Sequence, residues 1–117
     1  MHKNESIEGN KLNVNGQSFI NGLGTHASST TVFDIGQKFA KLNFATGLDD
    51  ESLCSEGAAV EVFGDGKSIA KTPFFRNGEL HKVEANVAGV QKLTIMTFPK
   101  EGINCSHVDI INPVLIP

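Results

Sequence analysis

The sequence predicts an all-β protein, an antiparallel β-sandwich with jelly-roll topology preferred over a barrel. Three observations lead there. No window of about 11 residues places apolar side chains at i, i+3, i+4 and i+7, which a helix packed on a core requires. Short alternating runs bounded by Gly, Asn and Asp recur instead. Glycine supplies 12 of the 117 residues and falls mainly between those runs, as turns in a many-stranded sandwich demand.

The elements follow in order. Lys11–Val14, Gln17–Ile20 and Thr30–Ile35 are short strands, and residues 39–47 alternate Leu42 and Phe44 with Lys41 and Asn43. Val60 and Val62 share a face with Ala58, and the run continues into Gly64-Asp65-Gly66-Lys67. Asp-Gly there predicts a hairpin, because both central residues of a type I′ turn take positive φ. Lys67–Thr72 is the returning strand. Val83, Ala85 and Val87 mark another, and Leu93–Phe98 is apolar enough on both sides to be buried on both. The last run starts at Val108 and Ile110 and crosses Pro113, which cannot donate to a ladder and so marks a bulge or an edge. Residues 1–10 are expected to be a flexible tail, and 11–117 one domain.

Composition excludes several functions. Ten basic against thirteen acidic residues give a net charge of −3, and no basic stripe exists for nucleic acid. No apolar run is long enough to span a bilayer, so membrane insertion is not expected. The first ten residues carry Lys3, Glu5 and Glu8 without an apolar stretch, so no secretory signal is read there. An extracellular origin would then mean a processed or excised domain. Neither cysteine lies in a nucleophile motif, His and Cys lack zinc-finger spacing, and no carboxylate pair is marked out for acid–base work, so catalysis is not expected. The 8 Phe stand with no Trp and no Tyr. Phe33, Phe44, Phe63 and Phe98 fall in strands and are assigned to the core. Adjacent side chains of an extended segment face opposite ways, which leaves one ring of the Phe74-Phe75 pair able to stand exposed.

Three polar segments could bear chemistry. Asn21–Ser28 is a Gly-spaced connection holding His26, and no helix follows to make it a phosphate loop. Leu48–Gly57 gathers Asp49, Asp50, Glu51 and Glu56. Its first three carboxylates are candidate calcium ligands, since hard cations need several oxygens, although the spacing is not an EF-hand and a solvated acidic loop is the plainer reading. Lys100–Asp109 places Asn104, Ser106, His107 and Asp109 just before the final strand; amides and carboxylates of this kind suit vicinal hydroxyls. Cys54 and Cys105 lie in two of these loops. They would form a disulfide in an exported protein and stay as thiols in a reducing compartment.

The segments Gly22-Leu23-Gly24-Thr25-His26-Ala27, Val32–Gly36, Gly47-Leu48-Asp49-Asp50-Glu51, Val60–Lys67, Val87–Leu93 and Ser106–Ile110 occur in an order that resembles the NPCBM family of carbohydrate-binding modules, which overlaps carbohydrate-binding module family fifty-one. The resemblance covers residues 11–116. It implies a galactose-binding-domain-like jelly roll, often carrying calcium, appended to secreted bacterial glycoside hydrolases and binding galactose-type or host-glycan sugars outside the cell or at its surface. Carried onto this chain, it makes His26, Asp49, Asp50, His107 and Asp109 the positions of interest. The family's Trp in the last segment is Ile110 here, and its first Asp is Ser106. With the polar loops, the expected carbohydrate-binding set is His26, Asp50, Phe75, Asn104, His107 and Asp109. The alternative is a sandwich of the same kind that has lost glycan binding and acts as a spacer or protein-contact domain.

Overall fold

The computed structural model describes residues 2–52, 57–100 and 106–117. Its regular elements are strands: β1 (His2–Lys3), β2 (Leu12–Val14), β3 (Gln17–Phe19), β4 (Gly22–His26), β5 (Ser29–Asp34), β6 (Lys41–Leu48), β7 (Ala58–Gly64), β8 (Lys67–Lys71), β9 (His81–Asn86), β10 (Lys92–Pro99) and β11 (His107–Ile116). They form an antiparallel five-stranded sheet ordered β1-β4-β11-β6-β9 and a four-stranded sheet ordered β5-β10-β7-β8, with β2-β3 as a separate hairpin. No helix is long and apolar enough to cross a membrane among the described residues.

The core lies between the sheets. Val60, Val62, Leu93 and Ile95 of one meet Leu42, Phe44, Leu48, Val83, Val108 and Ile110 of the other, all buried. Alternation sets this, because every second side chain of a strand returns to the same face. Asp65 and Gly66 take φ of 50° and 86°, the type I′ geometry their sequence predicts. Asn15 and Gly16, at 52° and 76°, close the β2-β3 hairpin in the same way. Between Ile111 and Val114 the β11–β6 register shifts, so Pro113 sits in a bulge of a central strand rather than at an edge.

Several sequence expectations are altered. Gly22–His26 is a strand, not a connection, and it pairs with both β1 and β11. The first ten residues, expected as a tail, contribute β1 and bury Ser6 completely. Phe33 stands at the surface with 36% of its area exposed, in a cleft beside Leu23, Pro113 and Leu115, and so is not a core residue. On β10, Leu93, Ile95 and Thr97 are buried, while Thr94, Met96 and Phe98 are only half-buried.

Glycine explains how the N-terminal segment fits. Gly24 and Gly47 flank Asp109 on the neighbouring strands. A β-carbon at Gly24 would lie 2.1 Å from the Glu5 carbonyl oxygen, and one at Gly47 would lie 2.8 Å from Val14 Cγ1. Bare backbone at these positions lets residues 5–6 and β2 lie flat on the outer face of the five-stranded sheet. Leu12, Val14 and Ile111 are buried there, outside the main core. Gly24→Ala should therefore lift the N-terminal segment and cost about 1–3 kcal/mol, the usual range for overpacking. Urea unfolding measures the loss, and faster amide exchange at Ser6 locates it.

Candidate functional site

One end of the sandwich collects the polar segments. β4 ends and β11 begins there, with His26 directly opposite His107 across the ladder. β6 ends beside them, since Leu48 pairs with Val108. The two imidazoles lie with centroids 5.2 Å apart and planes tilted by 51°. Both rings are half-buried.

The main chain around His107 is held on both sides. Its carbonyl accepts the Asp49 N–H at 2.8 Å, and its own N–H donates to Ser52 Oγ at 3.0 Å. Asn77 Nδ2 donates to the Ser52 carbonyl at 2.8 Å and docks the segment before β9 on the same end. The His107 ring is fixed by Glu51, with Nδ1 2.7 Å from Oε2. A carboxylate can only accept, so Nδ1 carries the hydrogen, and in the neutral ring Nε2 is left as a free acceptor.

Glu51 joins three parts of the chain. Oε1 accepts from the Ser6 hydroxyl and from Asn10 Nδ2 at 3.2 Å, and Oε2 accepts the Glu8 N–H at 3.1 Å besides His107. Burial works against the charge of this carboxylate, but the bonds from Ser6, His107, Asn10 and Glu8 outweigh it and hold its pKa below the ordinary value. Its contribution to stability is thus present above the unfolded pKa and is lost as the pH falls through the lowered one.

Asp109, 8 positions from the end of the chain, is the opposite case. It is 1% exposed, and neither carboxyl oxygen receives a hydrogen bond from a donor group. Burial first, and then the facing carboxyl of Asp49, push its pKa up to about 10. At neutral pH Asp109 is therefore an uncharged acid whose proton serves Asp49. Asp49 itself accepts the N–H groups of Asn13 and Glu51, each at 3.1 Å. Asp109 cannot meet a ligand from this position.

The remaining sequence candidates divide as follows. Asp50 accepts the N–H groups of Asn15 at 2.9 Å and Gly16 at 2.8 Å, so it clasps the β2-β3 turn rather than facing a ligand. Phe75 is fully buried, bridged to Ala58 and 5.6 Å from the His81 ring, so it cannot stack on a sugar; its neighbour Phe74 is the exposed ring, at 51%. Asn104, Cys54 and Cys105 lie outside the described residues, and with them the expected disulfide. Ile110 is a core residue at 1% exposure, so the site where the family carries Trp faces inward here.

The carboxylates expected to hold calcium do not form one oxygen cage. Asp49 and Asp50 accept main-chain N–H groups at different places, and both oxygens of Glu51 are taken by donors. The group whose ligand atoms do converge, all within 4.8 Å, is Glu8, Glu51 and His107. Its imidazole nitrogen is a poor calcium ligand and is already donating its hydrogen to Glu51. These residues do not fit calcium.

Sequence reasoning passed over Ser6, Glu8 and Asn10, which complete the surroundings of Glu51, and Ser52. A signal for the first three did exist. Gly22 and Gly24 sit at alternate positions of one strand, and glycine inside a strand marks close approach by another backbone.

The chain belongs to the NPCBM/NEW2 domain family, whose model matches residues 1–116. Solved structures resemble it over nearly its whole length. A CBM51 module of a Clostridium perfringens family 95 glycoside hydrolase, solved in complex with methyl-galactose, superposes with a TM-score of 0.88 at 22% identity, covering 97% of this chain and 86% of that one. The CBM51-2 module of Clostridium perfringens ZmpB, solved with its INT domains and GlcNAc, gives 0.87 at 20% identity over 97% of this chain and 27% of that one. Among curated proteins, the Renibacterium salmoninarum protein named "Putative endo-alpha-N-acetylgalactosaminidase" is 30% identical over 71 residues, 61% of this chain and 5% of that protein. The chain thus spans a small fraction of that relative's length.

Two outcomes follow from the site chemistry. The unfolded chain releases the Asp109 proton near pH 4 while the folded chain keeps it to about pH 10. Asp109 therefore makes stability fall as the pH rises between those values, by up to about 1.4 kcal/mol per unit. Asp109→Asn keeps a donor toward Asp49 and should flatten the thermal midpoint measured from pH 5 to 9. Titrating calcium or a chelator should leave the thermal midpoint of the wild type unchanged; a rise with calcium would contradict the assignment of these carboxylates to chain N–H groups.

Proposed function

We propose that the protein is a non-catalytic carbohydrate-binding module, directed at galactose-type sugars and using the polar end of the sandwich. The observation that carries this is the cross-strand pair His26–His107, with its second ring held through Nδ1 by Glu51, which leaves Nε2 of the neutral ring as an acceptor. Two such rings at 5.2 Å span about one monosaccharide and offer hydrogen bonds to adjacent hydroxyls. Membership of the NPCBM/NEW2 family supports the reading, as do the methyl-galactose and GlcNAc complexes of its structural relatives. Its place is an accessory position beside a catalytic domain in the same polypeptide, working outside the cell or at its surface. The short match within an endo-alpha-N-acetylgalactosaminidase-like protein agrees with that.

A glycan array is the direct test. Retention of galactose-terminated glycans is expected. His107→Ala and His26→Ala, made separately, should each weaken binding about tenfold or more, the loss of one hydrogen-bonding partner to the sugar, and His107→Ala should also lower the thermal midpoint because it strips Glu51 of a donor. A folded wild type that retains no glycan would leave the spacer or protein-contact role in its place.

A further inference from the structure

We infer that Glu8, delivered by a turn of the N-terminal segment, is a ligand-contacting residue of this site, accepting hydrogen bonds from two adjacent sugar hydroxyls. The inference rests on the carbohydrate-binding reading and names a contact that lies outside the loops between the sandwich strands.

The turn is built locally. The Gly9 N–H donates to the Ser6 carbonyl at 2.9 Å, and Gly9 takes a φ of 81°, a conformation glycine adopts without strain. The Ser6 N–H reaches the Asn10 carbonyl at 2.8 Å, and the Asn10 N–H returns to Ser6 Oγ at 3.0 Å. This closed loop is tied to the body of the protein through Glu51, which takes the Ser6 hydroxyl, the Asn10 amide and the Glu8 main-chain N–H. The result carries the Glu8 side chain to the imidazole. A Glu8 carboxylate oxygen, a Glu51 oxygen and a His107 ring nitrogen all lie within 4.8 Å of one another.

The three groups are not equivalent. Both Glu51 oxygens already have two partners, and it is half-buried with a lowered pKa, so it serves as an anchor. His107 has given its Nδ1 hydrogen to that anchor. The Glu8 carboxylate is exposed and receives no donor from any described residue. It is a charged acceptor with two open oxygens beside an imidazole acceptor, and a second imidazole stands one strand away. A cation would find spare lone pairs only on Glu8 and the neutral His107 ring, because both Glu51 oxygens are filled, and two protein groups are fewer than a bound metal usually takes. Neutral O–H donors fit better, and a carboxylate takes two from vicinal hydroxyls at once.

Glu8 is suited to a clean test because its tie to the fold runs through its main-chain N–H, which Ala and Gln keep. Isothermal titration would compare the wild type with Glu8→Ala and Glu8→Gln, using methyl galactoside and N-acetylglucosamine as probes together with a galactose-terminated oligosaccharide. Glu8→Ala should bind about ten- to a hundredfold more weakly, as expected for losing hydrogen bonds to a charged group. Glu8→Gln, which keeps one acceptor oxygen, should fall between the two. The thermal midpoints of all three should coincide. Wild-type affinity in Glu8→Ala would overturn this inference and leave the glycan reading standing. Loss of wild-type binding in a chelator, restored by zinc, would also overturn it and assign Glu8, Glu51 and His107 to a metal. A wild type that binds none of the probes would overturn both.

Discussion

The buried carboxylate of Glu51 holds the functional end of this protein together. Four donors converge on it from residues 6, 8, 10 and 107, and it follows the end of β6. An ion so nearly enclosed is stable only when its lone pairs are filled, and the cost of leaving one open is that of an unpaired buried charge. The filled set outweighs the burial that opposes the charge, as the lowered pKa records. Removing one donor would thus affect the others, because the same two oxygens orient the His107 ring and seat the N-terminal turn. One group thus ties the N-terminal turn to the His107 ring.

At Asp109 the same chemistry resolves the other way. Asp109 has no donor to compensate its burial, so it keeps its proton, and its acidic neighbour Asp49 can then remain the acceptor for two main-chain N–H groups. Carboxyls placed close together avoid repulsion by differing in protonation. The glycines on either side of Asp109 admit the covering backbone that makes it so dry. The Gly-x-Gly of β4 is thus a packing device as well as part of a family motif. It also brings residues 5–10 over the sheet, within reach of the imidazoles.

On the proposed reading, sugar recognition here would do without Trp or Tyr. The ring that could have been lost from a platform, at Ile110, belongs to the core, where a branched aliphatic side chain packs against Val108 and Leu48 in the same cluster. What the polar end offers is imidazole and carboxylate groups suited to hydrogen bonding. Such contacts are directional, and they discriminate among hydroxyl configurations more sharply than an apolar face can.

The strands β2, β3 and β5 to β11 were legible in the sequence because alternation and turn chemistry are local. Val60 and Val62 must share a face, and Asp65-Gly66 must turn, whatever surrounds them. His26 and His107 stood out for the residues around them, and the ladder places them opposite one another. β4 was not legible, since glycines that permit close packing read as a loop when the packing partner is unknown. Nor was the fate of each acid. Asp49, Asp50, Glu51 and Asp109 carry the same functional group, and the sequence could mark them only as a cluster of carboxylates. Tertiary structure decided that Asp50 caps a turn, that Glu51 anchors an imidazole, that Asp109 keeps its proton and that Phe75 rather than Phe74 is buried. The reason is that ionisation, ligand access and exposure depend on which distant groups arrive beside a side chain, and 41 to 56 positions of chain separate Glu51 from the side chains that complete it.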